Sequence, residues 1–595
     1  MKHIAILDFG SQYTHLIARR IRELGVLAKI YPTDVPVNEL RKDTHGIILS
    51  GGPQSVYEKQ SPSLDAAIFN LDIPVLGLCY GHQLMAHMLG GEVKAGTIKE
   101  YGRAVLTKDG HAPITADIPD TSTVWMSHGD TVAQLPEGFS ILGHTADCPI
   151  AAMGNEQKRW YGFQFHPEVR HSEHGMTMLK NFVFNICRAE QNWNIDNLVE
   201  DIITNIREKA GDKRVFLLVS GGVDSNVAFA LLTRALGKDR VYGLYIDTGF
   251  MRKDESEEIK QSFKNAGFDN IHVLNASDDF LKPLENIVEP EEKRNIIGKT
   301  FLLVKDRASA ELNIQTDDWL LGQGTIYPDT IETGGTTHAD TIKTHHNRID
   351  AIQKLIAEGK VIEPLADFYK DEVRHVGTLL GLPENMIKRH PFPGPGLAIR
   401  ILCANSKAPR EPLPTIEPRL VPELSHAVLP VKSVGVQGDN RTYAHPLAVW
   451  GSTEWDALDQ IASNISNSSS KINRVLVLLN PGDSPIELSP NTRTLTSDRI
   501  ALLQTADALV QEIVKNRGLY DEVWQFPVVL VPIGHTSHES IILRPVSSQE
   551  AMTAHFSRIP FNIVDEMRDA LLTIKGIDYI FYDVTNKPPG TIEWE

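Results

Sequence analysis

This chain of 595 residues has little cysteine, no excess of positive charge and no apolar run approaching the length of a membrane span. Cys79, Cys148, Cys187 and Cys403 are widely spaced with no CxxC pair, which argues against a disulfide framework or a zinc site and makes each a buried thiol. Met1-Lys2-His3-Ile4 leads straight into a strand-like run without a signal-peptide pattern, so the expectation is a soluble, cytoplasmic protein with no membrane partner. A formal charge of −17 repels nucleic acid over most of the surface, and no basic patch offsets it. Small molecules are the expected partners. The length also excludes a single hydrophobic core and points to three or four domains.

What is present begins with Ser220-Gly221-Gly222-Val223-Asp224-Ser225, between the apolar run Val215–Val219 and the helix-like stretch Asn226–Leu236. Two glycines let the backbone approach an anion, and N–H groups at the helix start and the Ser220 and Ser225 hydroxyls can donate to it. The turn reads as a phosphate cradle. It has no lysine, unlike GxxxxGK[ST], so metal or remote basic residues must offset the phosphate charge. Gly298-Lys299-Thr300 is not that loop either, because position 293 is Lys instead of Gly and charged residues precede it.

The first third of the chain alternates short β-runs with helical stretches: Ile4–Leu7, Gly46–Leu49, Val75–Leu78 and Trp160–Phe165. The third run ends in Gly77-Leu78-Cys79-Tyr80-Gly81, the form of a nucleophile elbow with cysteine for serine. A helix start after Cys79 favours the thiolate, and the Tyr80 amide can stabilise an oxyanion. The last run ends in His166-Pro167-Glu168, where His166 can serve as base and Glu168 can orient it. Alone, Cys79 reads as a packed thiol and His166 as a surface histidine; together at strand ends they read as a Cys-His-Glu triad. GLCYGHQ, FQFHPE and Ser50-Gly51-Gly52-Pro53 resemble the triad and oxyanion strand of class I glutamine amidotransferases. The resemblance implies oxyanion or glutamine-binding roles for Gly52, Tyr80, Gln83, Ser127, His128 and Asp130, and glutamine hydrolysis through a Cys79 thioester.

A second α/β pattern follows, with strands Val215–Val219, Val241–Ile246 and Ile271–Leu274. A doubly wound sheet places its ligand at the carboxyl ends of such strands. There Asp247 would meet a nucleotide or its Mg²⁺, or serve as an ordinary turn aspartate. SGGVDS with LYIDTGFMR resembles the ATP-pyrophosphatase family, which implies ATP bound by Ser220, Gly221, Gly222, Val223, Asp224, Ser225 and Asn226 and cleaved between its α and β phosphates. Phe368–Arg374 resembles that family's lid, with Lys370 placed to neutralise pyrophosphate; apart from the resemblance, the run reads as a solvated helix face. His390–Gly396, rich in proline and glycine, reads as a rigid connector.

Two carboxyl-terminal segments, about 425–485 and 520–595, each read strand, strand, helix, strand, and two such copies packing together bury what one leaves exposed. Asn464–Lys471, rich in serine and asparagine, reads as a loop in the first copy. Ser433–Arg441 and Lys587–Glu595 resemble the glutamine-hydrolysing GMP synthase family, and this resemblance extends over essentially the whole chain. It implies that Asp439, Arg441, Gln525, Lys587, Thr591 and Glu593 contact xanthosine monophosphate (XMP). Short members of that family carry the GDxR turn and the TIEWE tail in one copy and dimerise through it, whereas here the motifs lie in different copies. An internal pseudo-dimer is therefore expected, in a chain that is a monomer or a homodimer.

The expected architecture is α/β: two doubly wound parallel-sheet domains, 1–192 and 193–400, then an α+β region, 401–595, containing two β-β-α-β repeats. The expected substrates are glutamine, ATP with Mg²⁺, and XMP. A tRNA-modifying thiolase would want catalytic cysteines between 193 and 400, and there are none. A degenerate scaffold would want a damaged triad or loop, and both are intact.

Overall fold

A computed structural model describes the protein except for residues 12, 59–60, 313, 315–317, 330–354, 357, 406–411, 422–423, 438–439, 452–453, 470, 481–489, 536–537 and 549–553; the side chains of 97–99, 101, 437, 440, 441 and 467 are likewise outside the description. The chain divides into two compact units. The first is Met1–Asn205 with the described parts of Thr325–Leu355 and Leu365–Val376; the second is Ile206–Gly324, Ile356–Pro364 and Gly377–Glu595.

The first unit is built on a nine-stranded sheet. Its strands are β1 (His3–Asp8), β2 (Ala28–Pro32), β3 (Thr44–Leu49), β4 (Val75–Leu78), β5 (Glu92–Lys108), β6 (Thr121–Gln134), β7 (Ser140–His144), β8 (Ala152–Asn155) and β9 (Trp160–Phe163), in the order β2-β1-β3-β4-β9-β8-β7-β5-β6. From β2 to β9 the pairs are parallel. β1, β3 and β4 are nearly continuous apolar runs because helices cover both faces of such a sheet. Beyond β9 the sheet turns antiparallel, an extension the alternating pattern did not predict. The register Leu78↔Phe163 aligns the carboxyl ends of β4 and β9, so the residues after each strand emerge on one edge.

Among the described residues the second unit holds two large sheets and a two-stranded pair. One is wholly parallel, in the order β12-β11-β10-β13-β14, from β10 (Arg214–Leu218), β11 (Val241–Asp247), β12 (Ile271–Asn275), β13 (Trp319–Gly322) and β14 (Val361–Ile362). β10 is central, and SGGVDS leaves its carboxyl end. Gly298-Lys299-Thr300 lies inside the 22-residue helix Pro290–Glu311, which agrees with rejecting it as a phosphate loop.

The other sheet carries both repeats. It consists of β15 (Ser425–Val428), β16 (Ser433–Gln437), β17 (Asn440–Trp450), β18 (Ile472–Leu478), β19 (Val528–Val531), β20 (Glu539–Leu543) and β23 (Ile577–Asp583), in the order β15-β17-β18-β23-β20-β19 with β16 on β17; the short pair β21 (Val546–Ser547) and β22 (His555–Phe556) stands apart. β17 in the first copy and β20 in the second run parallel to the copy's last strand, with β16 an added strand in the first copy, and β18 and β23 join the copies antiparallel. The copies thus continue one sheet about a pseudo-twofold axis. The expected loop at Asn464–Lys471 is corrected in part: helix Trp455–Ser468 runs through its first five residues. Ile465 is fully buried there, and the Ser468 hydroxyl donates to the Asn464 carbonyl at 2.6 Å, so polar composition hid one apolar anchor and a local hydrogen bond.

Candidate active site

The elbow after β4 is strained. Cys79 has φ 50° and ψ −105°, a conformation that its neighbours force on it. A Cβ on Gly77 would lie 2.5 Å from the Gly81 carbonyl, and one on Gly81 would strike Leu49, so both positions flanking the elbow admit only glycine. The Cys79 N–H donates to Phe163 O at 2.7 Å, which fixes the elbow to β9. Helix Tyr80–Met88 starts at the next residue, with Tyr80 as its first amide.

From β9, His166 reaches the thiol's side of the sheet edge. Its Nδ1 is 2.7 Å from Glu168 Oε1, and the ring and carboxylate are both buried. Burial alone would lower the histidine's pKa, but the Glu168 carboxylate and the Cys79 sulfur outweigh it and hold it well above the usual value. Tyr13 packs edge-on against the ring at 4.9 Å, and the His166 carbonyl accepts from Ser172 Oγ at 2.6 Å. The structure thus brings Cys79, His166 and Glu168 together.

The residues expected around them are also close. The thiol faces Ser127 O at 3.4 Å. Gln83 Nε2 donates to Asp130 O at 2.8 Å and to Gln164 Oε1 at 3.1 Å, so Gln83 braces the pocket wall. Asp130 Oδ1 accepts from the Tyr57 hydroxyl at 3.0 Å, and His128 lies opposite Glu100. Gly52 sits against Phe9 O and the Tyr80 ring with no room for a Cβ. Gln164, whose amide lies 3.7 Å from the Cys79 sulfur, was not foreseen.

In the second unit the loop after β10 folds as a cradle. Gly221 takes φ +77°, and helix Val223–Leu236 starts within the motif, three residues earlier than the pattern suggested. Ser225 Oγ accepts from Ser220 N at 3.1 Å and donates to Gly222 O at 3.0 Å, while Asn226 Nδ2 donates to Gly221 O at 3.2 Å. The first-turn amides of the helix have no acceptor within the helix itself. Asp247 closes β11: its Oδ1 accepts from Gly249 N at 2.9 Å and its Oδ2 from Ser256 Oγ at 2.7 Å. A carboxylate oxygen with one such bond keeps a lone pair, so Asp247 fits one protein ligand of a nucleotide-borne Mg²⁺.

A basic group that sequence reasoning missed stands beside the cradle. Arg389 Nη1 donates to Gly221 O at 2.8 Å, and burial together with neighbouring Arg252 brings its guanidinium down to about 10. Arg252, Arg389 and Arg400 surround the Phe392 ring at 5.0, 5.8 and 5.2 Å, so the expected connector is a packing centre for arginines. A cavity of about 700 Å³ opens here, lined by Gly221, Asn226, Arg252, Arg389, Asp507 and Gln511 among others.

Lys370 opens helix Lys370–Leu379 and groups with the first unit. The segment around it is anchored there by Arg22, which pairs with Glu372 at 3.2 Å and stacks on Trp193, Tyr327 and Tyr369.

The carboxyl-terminal tail, from the second copy, folds onto the first. Val436 N donates to Pro589 O at 2.7 Å and Val434 N to Trp594 O at 3.0 Å, which brings the stem of the GDxR hairpin and the TIEWE tail together. Glu593 is gripped by Arg400, whose Nε and Nη2 lie 2.9 and 2.7 Å from its two oxygens, and by Gln525 Nε2 at 2.9 Å. Thr591 Oγ1 accepts from Arg474 Nη2 at 2.7 Å. Burial lowers the Lys587 ammonium. Asp439 and the side chain of Arg441 lie outside the described residues. Lys293 and Arg294, not foreseen as tail contacts, both bond Glu595.

Residues 5–186 match the family of class-I glutamine amidotransferases, 195–300 the NAD synthase family and 512–594 the GMP synthase C terminal domain. A protein of Leptospira interrogans serogroup Icterohaemorrhagiae serovar copenhageni, described as a probable glutamine-hydrolysing GMP synthase, is 48% identical over 100% of this chain and 99% of its own. The glutamine-hydrolysing GMP synthases of Clostridium perfringens (strain 13 / Type A) and Bacillus subtilis (strain 168) are 38% and 37% identical, over 100% of this chain and 99% and 98% of theirs. This chain belongs to the glutamine-hydrolysing GMP synthase family.

Family membership gives the buried arginines a context. Arg474 is fully buried and donates to Asp583 Oδ2 at 2.9 Å, Val434 O at 3.1 Å and Glu593 O at 2.9 Å, with its guanidinium 4.7 Å from the Trp594 ring. One fork therefore ties β16, β18, β23 and the tail. No local pattern marked it, because its partners are 40 to 119 residues away.

Proposed function

We propose that the chain aminates XMP to GMP in two coupled steps, with glutamine as nitrogen donor. Cys79 attacks the glutamine carboxamide carbon, the oxyanion is received by the Tyr80 amide and the loop at Gly52 after β3, and His166 delivers the proton with which ammonia leaves. Water then cleaves the thioester to glutamate, with His166 as base. At the cradle the XMP O2 attacks the α-phosphorus of ATP, pyrophosphate departs, and ammonia displaces AMP at C2 to give GMP. Mg²⁺, when bound with ATP, offsets phosphate charge; Asp247 would contribute a ligand to it, and Lys370 would neutralise the leaving pyrophosphate. Lys587, Thr591, Glu593, Gln525, Asp439 and Arg441 would hold XMP.

The observation that supports this reading best is the tail folded against the hairpin of the other copy, in the same unit as SGGVDS. We read the functional boundaries as 1–192, 193–400 and 401–595, in a cytoplasmic protein. Because the repeats already form a pseudo-dimer, a monomer would be active.

The test is pyrophosphate release from MgATP with XMP, IMP or UMP, with glutamine or an ammonium salt as donor. XMP alone should support release, and Cys79→Ala should abolish synthesis from glutamine while sparing synthesis from ammonium. Equal release with all three nucleotides would remove the substrate assignment, and loss of both activities in Cys79→Ala would remove the division of labour.

A further inference from the structure

We infer that Glu100, His128 and Cys148 form a zinc site in the wall of the glutamine pocket. The strand register sets Glu100 on β5 directly opposite His128 on β6. Cys148 comes from the turn between β7 and β8, where Thr145 N donates to Cys148 O at 2.9 Å and Cys148 N donates to Thr145 Oγ1 at 3.0 Å. Three antiparallel connections thus bring one donor atom from each residue to within 4.8 Å of the others.

The hydrogen bonds around these residues orient them as ligands. His128 Nδ1 is 2.9 Å from Asp130 O, a carbonyl that can only accept, so Nδ1 carries a proton and Nε2 is the ring atom turned inward. An N–H donated to a carbonyl behind the ring is the outer support that metal-bound histidines have. Nε2 faces Glu100 Oε2 at 3.2 Å, so the two atoms meet through a second ring proton or, in the neutral ring, through a cation bound by both. Glu100 is itself fixed by Thr145 Oγ1 at 3.1 Å. Sulfur, imidazole nitrogen and carboxylate oxygen suit Zn²⁺, and three protein ligands leave a fourth position for water. The thiolate forms as the metal displaces the Cys148 proton to solvent; without metal, burial holds the thiol neutral, at about 11. The wide spacing of the three residues carries no ligand signature, and for that reason the cysteine pattern argued against zinc.

The ion would lock the β6 segment Ser127–Asp130, whose carbonyls receive the Cys79 thiol and the Gln83 amide. Full-length Cys79→Ala protein, in which the nucleophile cannot bind metal, provides the test with Co²⁺ as probe. We expect tetrahedral Co²⁺ absorption with a thiolate charge-transfer band, bleached by Zn²⁺. Adding Cys148→Ser should abolish the band, and adding Glu100→Gln, which keeps the side-chain shape, should weaken Zn²⁺ binding by more than the about 10–100-fold that loss of an outer partner costs. Absence of the band in Cys79→Ala, or its persistence after Cys148→Ser in protein with native circular dichroism, would overturn the inference.

Discussion

His166 shows how two opposed effects decide a protonation state. Its burial disfavours the imidazolium, yet Glu168 at 2.7 Å and the Cys79 sulfur leave the pKa well above 6.5. A folded pKa above the unfolded one means that the pair's stabilisation is complete below pH about 6.5 and is lost as pH rises through the raised value. Replacing Glu168 by Gln keeps a hydrogen-bond acceptor and removes the charge. We expect the His166 ring to titrate at lower pH, followed by NMR, and glutamine hydrolysis to fall by about 10²–10⁴-fold; an unchanged titration would show that Glu168 is not the source. Both residues were legible because each stands at the end of an apolar run. Gln164 and the Thr145–Glu100 bond were not, since their meaning depends on which strands become neighbours.

At the scale of elements, the two glycines of the cradle differ in kind. A Cβ on Gly221 meets Ile259 Cδ1 at 2.7 Å and Arg389 Nη1 at 2.9 Å in a left-handed conformation, whereas one on Gly222, with φ −73°, has only Ser220 Oγ at 3.4 Å. Gly221→Ala should therefore destabilise the second unit by about 1–3 kcal/mol. Gly222→Ala should leave stability within about 0.5 kcal/mol but block the phosphate's approach, so adenylation is lost while the thermal midpoint stays. Thermal unfolding beside pyrophosphate release separates the two outcomes. The strand-turn-helix could be read from the run Val215–Val219 and the glycine pair. The bond from Arg389 to Gly221 O could not, because it spans 168 residues. Helix Trp455–Ser468 outran its expected end for a related reason: burial of Ile465, a tertiary event, overrode the serine and asparagine composition.

At the scale of the molecule, the repeats build a single sheet from two copies. The tail pairs with β16 at Gly590↔Gly435, and the segment after β18 pairs with the second copy's hairpin at Pro490↔Ile533, so each copy's follower lies on the other copy. Arg474 joins the halves, and Arg474→Met leaves Arg544 as the remaining ion-pair partner of Asp583, at an expected cost of about 3–5 kcal/mol to the second unit. Arg474→Lys keeps the charge but loses the fork. We expect KM for XMP to rise about 10–100-fold, the worth of a charge-assisted hydrogen bond, with glutamine hydrolysis unchanged. Sedimentation of the active enzyme should find a monomer, and activity confined to a dimer would refute the internal pseudo-dimer. Two copies were legible as a repeated element order; that they would share one sheet edge to edge was not, because β18 and β23 look alike whether they stack or pair.

That shared edge also constrains synthesis. β18 is buried along its whole length but finds its antiparallel partner only in β23, which follows it by roughly 100 residues. At ribosomal speeds of about 5–20 residues per second, the nascent chain holds an apolar strand with an open edge for about 5–20 s. The first copy must wait for the second, so this region folds as one late unit and needs protection from intermolecular strand pairing while it is made.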